Sequence, residues 1–337
     1  YALFTRYFTV RYQLYKLTNY MEHTPELEET DVYLQSMDFA HAWMLGLIPT
    51  EEIYRELMGR VNSPTRIKDI TSALDERNHS LFHSLTQKVV NRILEIELQR
   101  GDSETQVTRL AEELHRVYGA ETLIRILQAF GKDTFIRDSY NWRNTKRGVL
   151  SSLLHACYPS PDDDSDTLKS LASQADISHI RLVEAAMFAP QWLELTEKAT
   201  GWKGLESAAY YFHAHTSECF DDKKKAIIAR YTPIAIEDLQ EGAFDIDWFK
   251  EAYKTIGKER FEVVYNAAKY ISLSNTHTRA RKFADAVNGK TKAADAKKEI
   301  IAKRNKDLLM SYGLIPLGRK ADKELLERYQ FLQKFLK

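Results

Sequence analysis

The sequence predicts an all-α protein, a multi-helical array whose helix pairs stack in a HEAT-like, α-solenoid-like manner. Three observations lead there. Apolar residues return at steps of three and four with polar residues between them, and hardly any stretch alternates at period two. Beyond residue 166, segments of about eight to fourteen residues with that helical period follow one another through very short turns, the spacing of stacked helix pairs. No repeat formula returns at a fixed period. With 337 residues, 44% of them hydrophobic, the chain can bury one large core or two smaller ones without staples.

Segment 2–21 reads as an aromatic-rich helix with Leu3, Tyr7, Val10, Leu14 and Leu17 on one stripe. The acidic stretch Glu26 to Asp31 leads into a helix carrying Leu34, Phe39, Trp43 and Met44 and stopping near Gly46. Pro49-Thr50-Glu51-Glu52 is a helix start, because proline suits the first turn and carboxylates suit the unpaired amides there; Gly59 closes that helix. Residues 78–99 form the longest regular helix, through Leu81, Leu85, Val89, Ile93 and Ile96, with Gly101 as its stop. Helices follow at 105–117 and 120–130, and 131–147 reads as loop.

Two prolines, four aspartates and two serines within Tyr158 to Asp166 cannot build a helix interior. The stretch 158–166 is therefore expected to be a linker or long loop between an N-terminal helical region, 1–157, and a C-terminal one, 167–337, HEAT-like in part. Helices are expected near 167–174, 177–188, 190–199, 202–214, 219–231, 233–240, 245–256, 258–272, 275–287, 291–311 and 320–336. Gly313 to Gly318 reads as a short extended turn.

Composition excludes several classes. Cys157 and Cys219 are the two cysteines and neither belongs to a C-x-x-C pair, which removes disulfide scaffolds and cysteine-rich zinc modules. No apolar run approaches the roughly 20 residues that span a bilayer, and no basic segment leads into a signal-like stretch, so the reading is no membrane partner and a cytoplasmic protein. Forty-eight basic against forty-eight acidic residues give no general field for nucleic acid or anionic lipid. The apolar opening at Tyr1 suggests a segment of a longer chain.

Two E-x-x-H pairs, Glu76 to His79 and Glu112 to His115, put a carboxylate and an imidazole on one helical face, as carboxylate-bridged di-iron bundles do; Glu95 and Glu97 are further candidate ligands. His79 and His83 stand at i, i+4, the spacing of zinc-protease ligands, but the glutamate after the first histidine is missing. His213, His215 and Cys219, with Asp221, form the densest group of transition-metal donors. No serine elbow or companion motif occurs, Cys157 sits among Leu153, Leu154 and Ala156 as a buried thiol, and Gly131-Lys-Asp-Thr134 lacks the glycines and strand of a phosphate loop. Asp162 to Asp166 lacks the ligand order of a calcium loop. From Arg279 to Asp307 ten basic residues, among them Arg279, Arg281, Lys282, Lys297, Lys298, Lys303, Arg304 and Lys306, face four acids, a basic patch that could dock on phosphate or on an acidic partner.

The run Ala302-Lys-Arg-Asn-Lys-Asp-Leu-Leu-Met-Ser-Tyr-Gly-Leu-Ile-Pro-Leu317, with the helices from about 190 onward, resembles large uncharacterised bacterial proteins related to the molybdate metabolism regulator MolR. The resemblance implies a helical, HEAT-like region of a cytoplasmic bacterial protein and brings no catalytic motif. Taken together, the expected function is a non-catalytic helical scaffold or protein-interaction module, with no cofactor, whose partners are neighbouring domains of a longer parent chain or another protein. The alternatives are a metal-dependent enzyme with a His/Glu or His/Cys site holding a transition metal, and a nucleic-acid-binding module using 279–306.

Overall fold

A computed structural model describes residues 2–20, 34–57, 79–137, 142–216, 220–272 and 276–336. Among them the protein is all-α: the two-residue strands β1 (Val117–Tyr118) and β2 (Cys157–Tyr158), which pair with each other, are the extended elements described. No described helix is long and apolar enough to cross a membrane. The chain forms two compact units, Tyr1–Val117 with Tyr140–Ala156, and Tyr118–Ser139 with Cys157–Lys337.

The first unit opens with α1 (Ala2–Tyr20), α2 (Ser36–Met44) and α3 (Thr50–Leu57). Their core is aromatic. Phe8 and Tyr12, one turn apart on α1, meet the edge of Phe39 on α2 at ring-centroid distances of 6.0 and 5.8 Å. Trp43 Nε1 donates to Thr50 Oγ1 at 3.2 Å across the turn between α2 and α3. Helix α4 (His79–Leu98) buries Val89, Val90, Ile93 and Leu94 and packs on α5 (Thr108–Glu112), which packs on α7 (Lys146–His155).

The helix expected over 105–117 is therefore a single five-residue turn. Its threonine hydroxyls are engaged elsewhere: Thr105 Oγ1 donates to Glu97 Oε2 at 2.8 Å and receives the Val107 N–H, so side chains compete with the helix for the backbone. Glu97 and Arg100 form a fully buried ion pair. The Arg100 guanidinium also donates to the Asp102 and Asn144 carbonyls, which ties the end of α4 to the turn before α7.

The second unit contains α6 (Ala120–Phe130), α8 (Ser165–Gln174), α9 (His179–Phe188), α10 (Leu193–Thr200) and α11 (Leu205–Ala214). It continues through α12 (Asp222–Ile228), α13 (Ile236–Glu241), α14 (Ile246–Ile256), α15 (Lys258–Ala267), α16 (His277–Val287), α17 (Ala293–Lys303), α18 (Lys306–Leu314) and α19 (Ala321–Leu336). Helix α8 packs on α6 and α10, and α9 packs on α10 and α15. At the centre is α11, which packs on α14, α15 and α16 and buries an unbroken run from Ala208 to Ala214. Alanines let neighbouring backbones approach while Tyr211 and Phe212 fill the space between helices, with Tyr211 5.0 Å from Phe249 and Phe212 5.6 Å from Phe261. A separate small core gathers Ala286, Ala296, Ile300, Leu308, Tyr312 and Ile315 under Phe331, Leu332 and Phe335 of α19.

Three expectations change here. The chain passes from the first unit to the second between Ala156 and Cys157, one residue from the expected boundary, but residues 158–166 lie within the second unit, as do 118–139. Asp163 Oδ2 accepts the Ser160 and Ala120 N–H groups at 2.7 and 2.8 Å, and Asp164 caps α8 through the Thr167 N–H at 2.7 Å, so the acidic run serves helix starts. The single helix expected over 291–311 is broken into α17 and α18. Arg304 takes a left-handed conformation at φ 46°, and the Asn305 side chain accepts the Leu308 N–H at 3.1 Å, starting a new helix. Gly313 is helical, within α18.

Arginines close helix ends throughout the second unit. A helix leaves its last carbonyls unpaired and its C-terminus partially negative, which a guanidinium answers on both counts. Arg137 donates to the Phe188 and Tyr270 carbonyls, Arg281 to those of Tyr265 and Asn266 at 2.9 Å each, and Arg328 to those of Tyr312, Ile315 and Pro316.

Candidate functional site

Histidine carries the metal reading, and the structure describes three of its members, His115, His213 and His215, which it keeps apart. His213 and His215 are both buried on or at the end of α11. Two residues apart on a helix they point into different surroundings. His213 lies beside the Tyr210 ring and bonds the Met187 backbone. His215 Nδ1 lies 2.7 Å from the Tyr211 carbonyl, which can only accept, so Nδ1 carries the proton and Nε2 presents a lone pair to a shell of Tyr211, Phe244, Trp248 and Phe283 rings. Neither Nε2 atom has a hydrogen-bond partner.

Burial holds both imidazoles neutral. Desolvation is the main cause of each depressed pKa, which falls to about 4 for His215, where the Arg279 charge adds to it, and well below the ordinary value for His213, where Lys224 and Arg137 add to it. Cys219 and the side chains of His79 and His83 lie outside the described residues, as does Glu76.

His115 is exposed and follows the end of α5, so it does not share a helical face with Glu112, whose carboxylate accepts the Asn144 N–H at 2.6 Å. Glu95 faces solvent against Arg92, and Glu97 is committed to Arg100 and Thr108. Among the described residues no three His, Cys, Asp or Glu side chains converge on a point. Cys157 is buried, and desolvation pushes its thiol far above the ordinary value, as befits a core residue.

The basic segment divides by depth. Arg279 is buried and spends its guanidinium on the carbonyls of His215, Thr216, Leu239 and Gln240, so it belongs to no surface. Arg281 and Lys282 are half-buried, the former over the Tyr265 ring. Lys297, Lys298, Lys303, Arg304 and Lys306 are exposed along α17 and the start of α18. Lys303 pairs with Glu299 at 2.6 Å and Lys306 with Glu241 at 3.3 Å, while Lys297 and Arg304 lie over the Phe331 and Phe335 rings. An open pocket of about 290 Å³ between α8, α9 and α10 is lined by Lys169, Ser173, Asp176, Ser178 and His179, all of them on its exposed rim.

One exposed apolar surface among the described residues is displayed openly in the sequence. Leu3, Tyr7, Val10 and Leu14 of α1 are 86%, 43%, 56% and 37% exposed, whereas Phe8 and Tyr12 of the same helix are 1% and 7% exposed. The stripe that a helical period marks as apolar therefore faces outward, and a second apolar face packs the core. On the exposed face of α19, Leu325, Leu326 and Tyr329 are each more than half exposed.

A family of unknown function, DUF5724, matches residues 2–337, and the chain belongs to it. No curated protein and no solved structure matches the chain.

Proposed function

We propose that this member of a family of unknown function is a non-catalytic helical interaction module, which binds a protein partner through the outward face of α1. The observation that supports this reading is the exposed stripe Leu3, Tyr7, Val10 and Leu14 on a helix that already has a separate buried face in Phe8 and Tyr12. Four large apolar side chains in one line leave a patch of roughly a few hundred Å², comparable to the largest apolar patch on a typical monomer, which is often functional. Burying it returns about 25 cal/mol for each Å², enough for several kcal/mol before the cost of association. On the reading that 302–317 and the helices from about 190 resemble the relatives of MolR, the module sits in a larger cytoplasmic bacterial protein, where its partner is a neighbouring domain or a separate protein.

The test is selection of a displayed library of amphipathic helical peptides on the immobilised chain. Enrichment of peptides whose binding is lost with Val10→Asp, in protein that keeps its helicity and melting temperature, is the expected result. A library that yields no sequence sensitive to Val10→Asp overturns the reading.

A further inference from the structure

The spacing of the α1 stripe describes its partner. Positions 3, 7, 10 and 14 are separated by four, three and four residues, the a/d step of a heptad seam, so the surface that fits them is another helix presenting apolar knobs at the same step. With about 100° per residue, the seam and the core-side face formed by half-buried Phe4 and buried Phe8 and Tyr12 lie roughly 130° apart, and α1 can hold its own core and a second helix at once.

Charge narrows the choice further. The same geometry places Arg6 about 40° to one side of the seam's edge and Arg11 about 40° to the other. The Arg11 guanidinium lies 5.1 Å from the centre of the Tyr7 ring, beside the seam itself. α1 contains no aspartate or glutamate, and its remaining cation, Lys16, is paired with Glu52 on the core side. Residues that flank a helical seam choose partner and orientation by charge. A second copy of α1 would bring arginines against arginines, which disfavours self-pairing; a helix with carboxylates beside its apolar seam meets both arginines with opposite charge.

We infer that α1 docks an amphipathic helix whose apolar a/d seam is flanked by acidic residues. The inference rests on the reading of α1 as the interaction face and adds the chemistry of what it binds.

Three synthetic helical peptides with identical leucine seams and either glutamate, glutamine or lysine at the flanking positions test it, titrated against the full 337-residue chain. At low salt the glutamate peptide is expected to bind at least tenfold more tightly than the glutamine peptide, the lysine peptide more weakly than either, and the differences to shrink at high salt. In Arg6→Glu/Arg11→Glu protein the order of the glutamate and lysine peptides reverses. Val10→Asp removes binding of all three, and Leu3→Asp serves the same purpose if that variant loses helicity.

Equal affinity of the three peptides, still lost with Val10→Asp, overturns the acidic partner and leaves the docking face standing. No binding by any peptide overturns both. A concentration-dependent dimer in sedimentation equilibrium that Val10→Asp dissolves identifies a second copy of the chain as the occupant, and likewise overturns the acidic helix.

Discussion

The guanidinium of Arg279 donates to the backbone carbonyl of His215 at 2.9 Å, placing a permanent cation beside a buried imidazole at the C-terminus of α11. The same guanidinium reaches the carbonyls of Thr216, Leu239 and Gln240, so one side chain from α16 closes the ends of both α11 and α13. Removing it strands several buried carbonyls at once. Arg279→Met is expected to lower unfolding free energy by about 3 kcal/mol or more, measured by urea titration. Lys298→Ala, on the exposed side of the same basic segment, is expected to stay within about 0.5 kcal/mol.

His215 also makes the fold sensitive to acid. Its folded pKa, about 4, lies below the ordinary 6.5, chiefly through desolvation, with the Tyr211 carbonyl and Asp245 partly offsetting it and Arg279 opposing protonation further. Between those values the unfolded chain binds the extra proton, so stability rises with pH; the contribution is complete above about pH 6.5 and is lost as pH falls through about 4. His215 alone accounts for about 3 kcal/mol across that window, and His213 acts in the same direction. Urea midpoints measured between pH 7 and 4 should fall accordingly, and His215→Leu should flatten the curve by its own share.

The buried pair Glu97 and Arg100 in the first unit gives a contrast between breaking and replacing a charge pair. Arg100→Met leaves the Glu97 carboxylate buried with only threonine hydroxyls and is expected to cost about 3–5 kcal/mol, whereas Arg100→Met with Glu97→Leu removes both charges and recovers much of the loss. A double-mutant cycle on the unfolding free energy reads the difference.

Gly204 precedes α11 at φ 86°, and a Cβ there would stand 2.8 Å from Thr255 Cγ2. Conformation and contact both oppose a side chain, since a β-branched threonine has little freedom to move aside. Gly204→Ala is expected to cost about 2 kcal/mol in thermal unfolding. At Gly46, where φ is 68° and nothing lies within 4 Å of the added atom, the backbone term remains alone and about 1 kcal/mol is expected.

The two faces of α1 make a direct test of which stripe holds the fold. Phe8→Ala empties a site between Tyr12 and Phe39 and is expected to cost about 3–5 kcal/mol. Val10→Asp, two residues away and more than half exposed, is expected to change stability by no more than about 0.5 kcal/mol. Chemical denaturation of the pair settles the assignment.

Local patterns in the chain specify the all-α class and most of the helix positions. The periods over 2–21, 78–99 and 120–130 correspond closely to Ala2–Tyr20, His79–Leu98 and Ala120–Phe130, because propensity, capping residues and apolar spacing are local and act together. They do not carry the break at Arg304 and Asn305, since one left-handed residue and one side-chain cap inside a run of good helix formers barely change the pattern. The place of 118–139 in the second unit was likewise hidden, and the aspartates of 158–166 read as solvent-loving chain until their partners, the amides of Ala120 and Thr167, are known.

The candidate site followed the same rule. Periodicity picks out Leu3, Tyr7, Val10 and Leu14 as one stripe, but α1 has two apolar faces, and which one meets Phe39 is decided by tertiary packing. Charge composition collects Arg279 with Lys298 as one basic segment, although one is buried on four carbonyls and the other stands in solvent. Residue type and spacing specify what a helix can offer; burial and hydrogen-bond partners, which join residues distant in sequence, decide what each side chain is left free to do.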